Sequence, residues 1–369
     1  MVNLGNGLSA RGFKVDLVLA VCTGPYLDEV SKKVTIVDLH ADRFAFQKNR
    51  NSKFSGLESL VVSLIGLFLL ARYLRRIGPV SMLAALPGAN VTAVIAKVIS
   101  RVQTRVVISE RNVLSPAIRN RKSLLYRSLR LVMPLAYRHA DGIIAVSAGV
   151  AVDLSKTMKL SKSSIDVVRN PVVSSSLLAR SREENHHSLL QKGEPPVVLG
   201  VGRLVSQKQF TDLISAFALL CETLDSRLII LGEGPLRSNL ERQVRRLGLE
   251  AKVSLPGFVD NPYSFMSRAA LFVLSSEYEG LPNALIQAMA CGAPIVSTDC
   301  PSGPSEILED GKWGRLVPVG DIRGLANAMA ETLNERMHPD VSSRAADFSV
   351  DKGVDGYLEV MLRNSLPNE

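Results

Sequence analysis

Apolar positions along the chain fall into short unbroken runs, separated by stretches in which they recur every three or four residues. Lys14–Val21, Lys33–Leu39, Val80–Ala84, Thr104–Ser109, Gly142–Ser147 and Ser164–Val168 have the length and branched content of buried parallel strands. Helical periodicity occupies Phe54–Arg76, Asn90–Arg101, Ser123–His139 and Ala148–Thr157, and Met1–Arg11 opens the chain as a helix. The alternation resumes with strands at Val197–Arg203, Arg227–Gly232, Lys252–Pro256, Ala270–Ser275, Pro294–Thr298 and Arg315–Val319, and with a helix at Asp321–Arg336. Strands alternating with helices predict an α/β chain whose parallel sheets are covered on both faces, as in doubly wound Rossmann-like domains. The polar stretch Ser174–Pro196 reads as a linker, which divides the chain into domains of residues 1–180 and 190–345.

The stretch from Leu274 to Glu306, LSSEYEGLPNALIQAMACGAPIVSTDCPSGPSE, concentrates the chemistry. A strand end gives way to Glu279 and Gly280. Pro282 suits a first helical position, and Gly292 suits a left-handed cap. The amides of Leu281, Asn283 and Ala284 then stand at a helix start, where the dipole favours an anion such as phosphate. Glu279 and Gln287 are spaced to share one side of that anion site. A carboxylate there would repel the phosphate itself but would accept hydrogen bonds from hydroxyls attached to it, as on a sugar nucleotide. An isolated glutamate at a helix start reads more simply as a partner of the dipole.

Upstream, VVLGVGR ends in Gly202 and Arg203, and Lys208 follows near the next helix. The third glycine of a dinucleotide fingerprint is missing, so a NAD site is a poor reading. Two cations at the end of a parallel strand suit a diphosphate better.

At 369 residues, 46% apolar and 21% charged, the chain is long enough for two substantial cores. Its net charge of +9 divides unevenly, +16 over residues 1–180 and −7 over the remainder. The first half is therefore expected to meet something anionic. Aromatics at 5% and the lack of a recognition signature argue against nucleic acid. Arg72, Arg75 and Arg76 share a face at the end of the long apolar helix. Arg111 leads a second basic group that includes Arg119, Arg121, Lys122, Arg127 and Arg130. These are candidates for an acceptor diphosphate or an anionic membrane surface, against the simpler reading of solvated helix faces. Ser59–Ala71 is apolar but short of the ~20 residues that span a bilayer. The four cysteines and five histidines form no ligand pattern, and no metal-nucleotide D-x-D run occurs, so neither metal nor cofactor is expected.

The Glu279–Gln287 stretch and GRLVSQK together resemble the donor-site motifs of the family 4 glycosyltransferases, the retaining enzymes of GT-B fold. TDCPSGPSEIL is similar to the subgroup that builds bacterial surface glycans on lipid carriers. The chain departs from the family at Gln287, where a second glutamate is usual, and at Ser305, where the subgroup has a basic residue. Gln287 keeps an acceptor oxygen but loses the charge. The resemblance implies two Rossmann-like domains with a final helix, about residues 346–369, crossing back to the first. In the family the opening helix follows a strand and a glycine-rich loop. The first domain is thus expected to lack its first strand and that loop, with an N-terminally shortened reading of the gene favoured as the explanation.

The same resemblance assigns the diphosphate to Gly202, Arg203 and Lys208, the donor sugar to Glu279 and the ribose to Gln287. It places Glu233 and Phe258 on nucleotide-side loops. Transfer of a sugar from a nucleotide sugar, with UDP-hexose or UDP-N-acetylhexosamine favoured, to a lipid-linked or oligosaccharide acceptor follows as the expected activity. The expected location is the cytoplasm, peripheral at the inner face of the membrane. Two alternatives stay open: a GT-B sugar-nucleotide epimerase needing no acceptor, and a degenerate, non-catalytic relative.

Overall fold

In a computed structural model, residues 1–24, 26–44, 56–119 and 124–363 are described. They form two compact units, Met1–Pro171 with Val350–Glu369, and Val172–Ser349.

The first unit opens with α1 (Val2–Ala10), β1 (Val15–Leu19) and β2 (Val34–Asp38). It continues through α2 (Gly56–Ile77), β3 (Ser81–Ala85), α3 (Pro87–Ser100), β4 (Arg105–Glu110), α4 (Ser115–Arg119), α5 (Leu124–Arg138), β5 (Gly142–Ala145), α6 (Ala148–Met158) and β6 (Asp166–Val167). The expected strand Ser164–Val168 shrinks to Asp166–Val167, and Lys162–Ser164 form a 3₁₀ turn ahead of it. All pairings are parallel, but they make two sheets rather than one: β1 with β2, and β3-β4-β5-β6 in that order. Helix α1 joins them. Its Leu4 and Leu8 share a core with Val15 of the small sheet and with Leu83, Val107 and Ile144 of the larger one. The last described helix, Val350–Leu362, belongs to this unit and packs Val354, Tyr357 and Val360 into the same core.

The second unit runs α7 (Ser175–Ser181), β7 (Val197–Val201), α8 (Phe210–Leu220), β8 (Arg227–Leu231), α9 (Arg237–Arg246), β9 (Val253–Gly257), α10 (Tyr263–Met266), β10 (Leu271–Leu274), α11 (Asn283–Ala290), β11 (Ile295–Thr298), α12 (Pro304–Leu308), β12 (Arg315–Val317), α13 (Ile322–Asn334) and α14 (Val341–Ala345); the returning helix of the first unit is α15. Its six strands form one parallel sheet. Val198, Leu228, Leu271 and Val296 from its strands and Leu213, Phe217, Leu325 and Met329 from α8 and α13 build one core. Each such side chain contributes about 2 kcal/mol relative to leaving it in water.

The supposed linker is partly helical. Ser174 caps α7 by accepting from the Leu177 amide at 3.1 Å, and Leu177 is buried, so polarity there reflects a capped surface helix. Pro282 also differs slightly from expectation. It stands just before α11 rather than at its first turn, and Gly292, at φ +81°, follows the Cys291 cap.

Candidate active site

The second sheet has strand order β12-β11-β10-β7-β8-β9. From β7 the chain builds outward through β8 and β9. It then returns to the other side of β7 at β10 and builds outward again. The loops following β7 and β10 therefore diverge, and in parallel α/β sheets that divergence opens the ligand crevice at the carboxyl ends of the strands.

Three hydrogen bonds lace these two loops together. Gln207 Nε2 donates to the Tyr278 carbonyl at 2.8 Å, the Glu277 amide donates to the Gln207 carbonyl at 2.8 Å, and Ser275 Oγ donates to the Lys208 carbonyl at 2.7 Å. Between them the Lys208 ammonium donates to Glu279 Oε1 at 2.5 Å, an ion pair whose side chains are only 17% and 8% exposed. The same Glu279 oxygen accepts from Ser276 Oγ at 2.7 Å. The negative charge is felt nearby: the Cys300 thiol is pushed up to about 12, by burial first and by Glu279 second.

The neighbouring strand ends close around this pair. Gly232 has φ +138°, and a Cβ there would lie 2.0 Å from the Gly202 carbonyl oxygen, so only glycine lets the loops after β7 and β8 meet. The Leu204 amide donates to the Glu233 carbonyl at 2.9 Å, and the Gly232 amide to the Gly257 carbonyl at 2.8 Å. Gly303 closes the other flank, where a Cβ would stand 2.6 Å from the Pro282 ring.

Sequence-derived candidates are distributed over these loops as follows. Gly202 packs against the Lys208 stem: a Cβ would be 3.1 Å from Lys208 Cε, so the lysine would have to shift by a few tenths of an ångström to admit one. Arg203 is exposed, and its guanidinium has no partner among the described residues. The Glu233 carboxylate pairs with Arg237 at 2.5 Å rather than standing free. Phe258 is 52% exposed just past β9. Gly280 and Leu281 are buried between Glu279 and α11, with the Gly280 carbonyl accepting from Ser302 Oγ at 2.9 Å. Asn283 is exposed and Ala284 half-buried in the first turn of α11, and Gln287 is half-buried one turn further on. Sequence reasoning passed over Gln207, Ser275, Ser276 and Thr298. Isolated serines and threonines carry no periodic signal, and only the topology brings these to the strand ends. Among the described residues no three His, Cys, Asp or Glu side chains are grouped to hold a metal ion.

Comparison with known proteins decides the family. Residues 1–175 match Glycosyltransferase Family 4, and residues 181–347 match Glycosyl transferases group 1. The chain belongs to the group 1, family 4 glycosyltransferases. It is 32% identical to the N-acetylgalactosamine-N,N'-diacetylbacillosaminyl-diphospho-undecaprenol 4-alpha-N-acetylgalactosaminyltransferase of Campylobacter jejuni, over 67% of this chain and 65% of that protein. It is 31% identical to the lipopolysaccharide core biosynthesis glycosyltransferase LpsE of Rhizobium meliloti, over 61% of this chain and 65% of that one. The match thus spans less than two thirds of either relative. Among solved structures, Anabaena HepE in complex with UDP-glucose superposes with a TM-score of 0.76 at 20% identity, covering 99% of this chain and 95% of that one. Sucrose-phosphate synthase from Thermosynechococcus elongatus gives 0.73 at 19% identity, over 97% and 87%. These likenesses establish the GT-B fold with its two Rossmann-like domains.

In the first unit of this family 4 member the predicted cations separate by environment. Arg75 is a structural clip. It donates to the Ile99 and Ser100 carbonyls at 2.6 and 3.2 Å, completing the end of α3. Arg75 is nonetheless exposed, as are Arg72 and Arg76. Arg111, directly after β4, donates to Asn170 Oδ1 at 2.6 Å and lies 5.6 Å from the Tyr357 ring centroid, while its buried Nε has no partner. Arg121 and Lys122 fall outside the described residues.

Beside Arg111, Glu110 is buried at 1% exposure and accepts from the Tyr137 hydroxyl and, at 2.8 Å, from Asn90 Nδ2. Burial above all, with repulsion from Asp153, pushes its carboxyl up to about 7, while the hydrogen bonds and Arg111 pull the other way. The folded state therefore holds a proton that the unfolded chain has already released, and Glu110 erodes stability as pH rises from about 4.5 to about 7. Glu110→Gln should flatten that slope, by up to ~3 kcal/mol between pH 5 and 8. Urea midpoints at the two pH values check it; an unchanged slope in the variant would remove Glu110 as its source.

Proposed function

We propose that the protein is a retaining glycosyltransferase that moves a sugar from a nucleotide sugar, UDP-hexose or UDP-N-acetylhexosamine, to a lipid-linked or oligosaccharide acceptor in surface-glycan synthesis. The observation that carries this reading is the Lys208–Glu279 pair at the switch point of the second sheet. It puts a cation for the diphosphate and an acceptor for sugar hydroxyls within one hydrogen bond of each other, in the loops after β7 and β10, and the exposed Arg203 stands in the first of these loops. The activities of the Campylobacter and Rhizobium relatives, and the UDP-glucose bound by HepE, favour the same donor and acceptor classes.

In the reaction the bond between the sugar's anomeric carbon and the phosphate oxygen breaks, and a bond to the acceptor hydroxyl oxygen forms on the same face. The acceptor proton passes to the departing phosphate oxygen. Arg203, Lys208 and the start of α11 stabilise charge where it accumulates on the leaving diphosphate. Charge-assisted hydrogen bonds from the two side chains take the part a divalent cation would otherwise play, so turnover needs no metal or other cofactor. Glu279 orients the ring through its hydroxyls, and Gln287 accepts from the ribose.

The protein is assayed with a panel of labelled UDP-sugars and membrane lipid extract, in chelator. The expected result is label in the lipid fraction with release of UDP. No UDP release under any pairing would overturn the reading, and free altered sugar without acceptor would select the epimerase instead.

We further place the protein peripherally at the inner face of the cytoplasmic membrane. No described helix is long and apolar enough to cross a bilayer. Val61, Leu64 and Phe68 on α2 instead form an exposed apolar stripe that runs into Arg72. Leu131 and Leu135, at 82% and 62% exposure, share one side of α5. Such apolar faces with adjacent cations suit an anionic interface. Leu131→Ser with Leu135→Ser should lower co-sedimentation with phosphatidylglycerol vesicles about tenfold, ~1.4 kcal/mol. Equal pelleting of the variant and the parent would dismiss α5 as the docking face.

A further inference from the structure

The Glu279 carboxylate is held asymmetrically. Both of its partners, Lys208 Nζ at 2.5 Å and Ser276 Oγ at 2.7 Å, donate to Oε1. Among the described residues Oε2 has no partner, and it is not one of the sealed, unpartnered polar atoms of the interior. One oxygen is committed to the protein, and the other opens to whatever enters the crevice.

The two donors differ in permanence. An ammonium has three N–H donors, and the second and third of Lys208 are uncommitted among the described residues. An arriving diphosphate would share that cation, drawing the lysine partly away from Glu279. Ser276 has no such rival. It is fully buried, and its carbonyl accepts from the Thr298 hydroxyl at 2.6 Å, which fixes the backbone from which the serine hydroxyl reaches forward. Thr298 Oγ1 also reaches the Leu274 carbonyl, at 3.3 Å, tying the site to the end of β10.

We propose that Ser276 is the positioning residue of this site: it keeps Glu279 Oε1 occupied and Oε2 aimed at the donor sugar while Lys208 divides its charge with the diphosphate. The proposal rests on the nucleotide-sugar reading above and deepens it. Ser276 touches neither the sugar nor the nucleotide; it acts through Glu279. Its removal should therefore affect recognition of the sugar and leave recognition of the nucleoside diphosphate alone.

Ser276→Ala, Glu279→Gln and the parent protein are compared by calorimetric titration with UDP and with the accepted UDP-sugar, and by steady-state transfer. In Ser276→Ala the affinity for UDP should stay within twofold of the parent. The extra affinity of UDP-sugar over UDP should shrink severalfold, and kcat should fall about tenfold. A merely structural serine would move both affinities together, and that outcome would overturn the proposal. So would unchanged UDP-sugar affinity and kcat in Ser276→Ala alongside lost transfer in Glu279→Gln. Undiminished transfer in Glu279→Gln would instead remove the reading of Glu279 on which the proposal stands.

Discussion

Arg203→Ala should lower kcat/KM for sugar transfer by at least ~100-fold, the usual consequence of removing one preorganised donor from developing charge. The same substitution should leave thermal unfolding unchanged. The Arg203 side chain is exposed and bonded to nothing among the described residues, and truncating such a group shifts stability by no more than ~0.5 kcal/mol. Activity and stability thus separate at this residue, which makes it the cleaner probe of the two cations. Near-normal turnover in a well-folded variant would defeat the assignment of Arg203 to the diphosphate.

Lys208→Met should behave differently, losing activity and stability together. It strands the Glu279 carboxylate, 8% exposed, with only Ser276 to satisfy it. Breaking a buried pair from one side costs about 3 kcal/mol or more. In a unit of this size that corresponds to a fall in Tm of roughly 6–12 °C. Adding Glu279→Gln to Lys208→Met should recover part of the loss, since no uncompensated charge then remains. A double-mutant cycle on denaturant stability measures this directly, and a coupling energy near zero would show that the pair is not holding the two loops.

The fold was readable because its signals are periodic. Buried runs such as Phe272–Leu274 and amphipathic stretches such as Ile322–Asn334 announce strand and helix without reference to the rest of the chain. Parallel pairing followed from their alternation. The split of the first unit into a two-stranded and a four-stranded sheet was not spelled out by periodicity, because strand order is a property of crossovers. The segment at Ser174–Pro196 misled for a local reason. Its serines read as linker composition, whereas Ser174 caps a helix.

At the site, residues with unusual chemistry in short motifs were legible: Arg203, Lys208 and Glu279. Their supporters were not. Ser276, Gln207 and Thr298 are ordinary residues whose importance lies in which carbonyl or carboxylate they meet. Gln207 meets Tyr278 across 71 positions of sequence and Thr298 meets Ser276 across 22, separations that no local pattern spans. Glu110 shows the same limit from the other side. A lone glutamate at a strand end carries no sign of burial in the sequence, yet Tyr137 and Asn90 enclose it. Arg75, grouped with two solvent-facing arginines by helical spacing, turned out to face the end of α3.

The central claim is tested most directly by determining the structure of the protein with UDP bound. The account predicts both phosphates at the carboxyl ends of β7 and β10, within about 3 Å of the Arg203 guanidinium and the Lys208 ammonium. A diphosphate seated away from both side chains, in either unit, would contradict it.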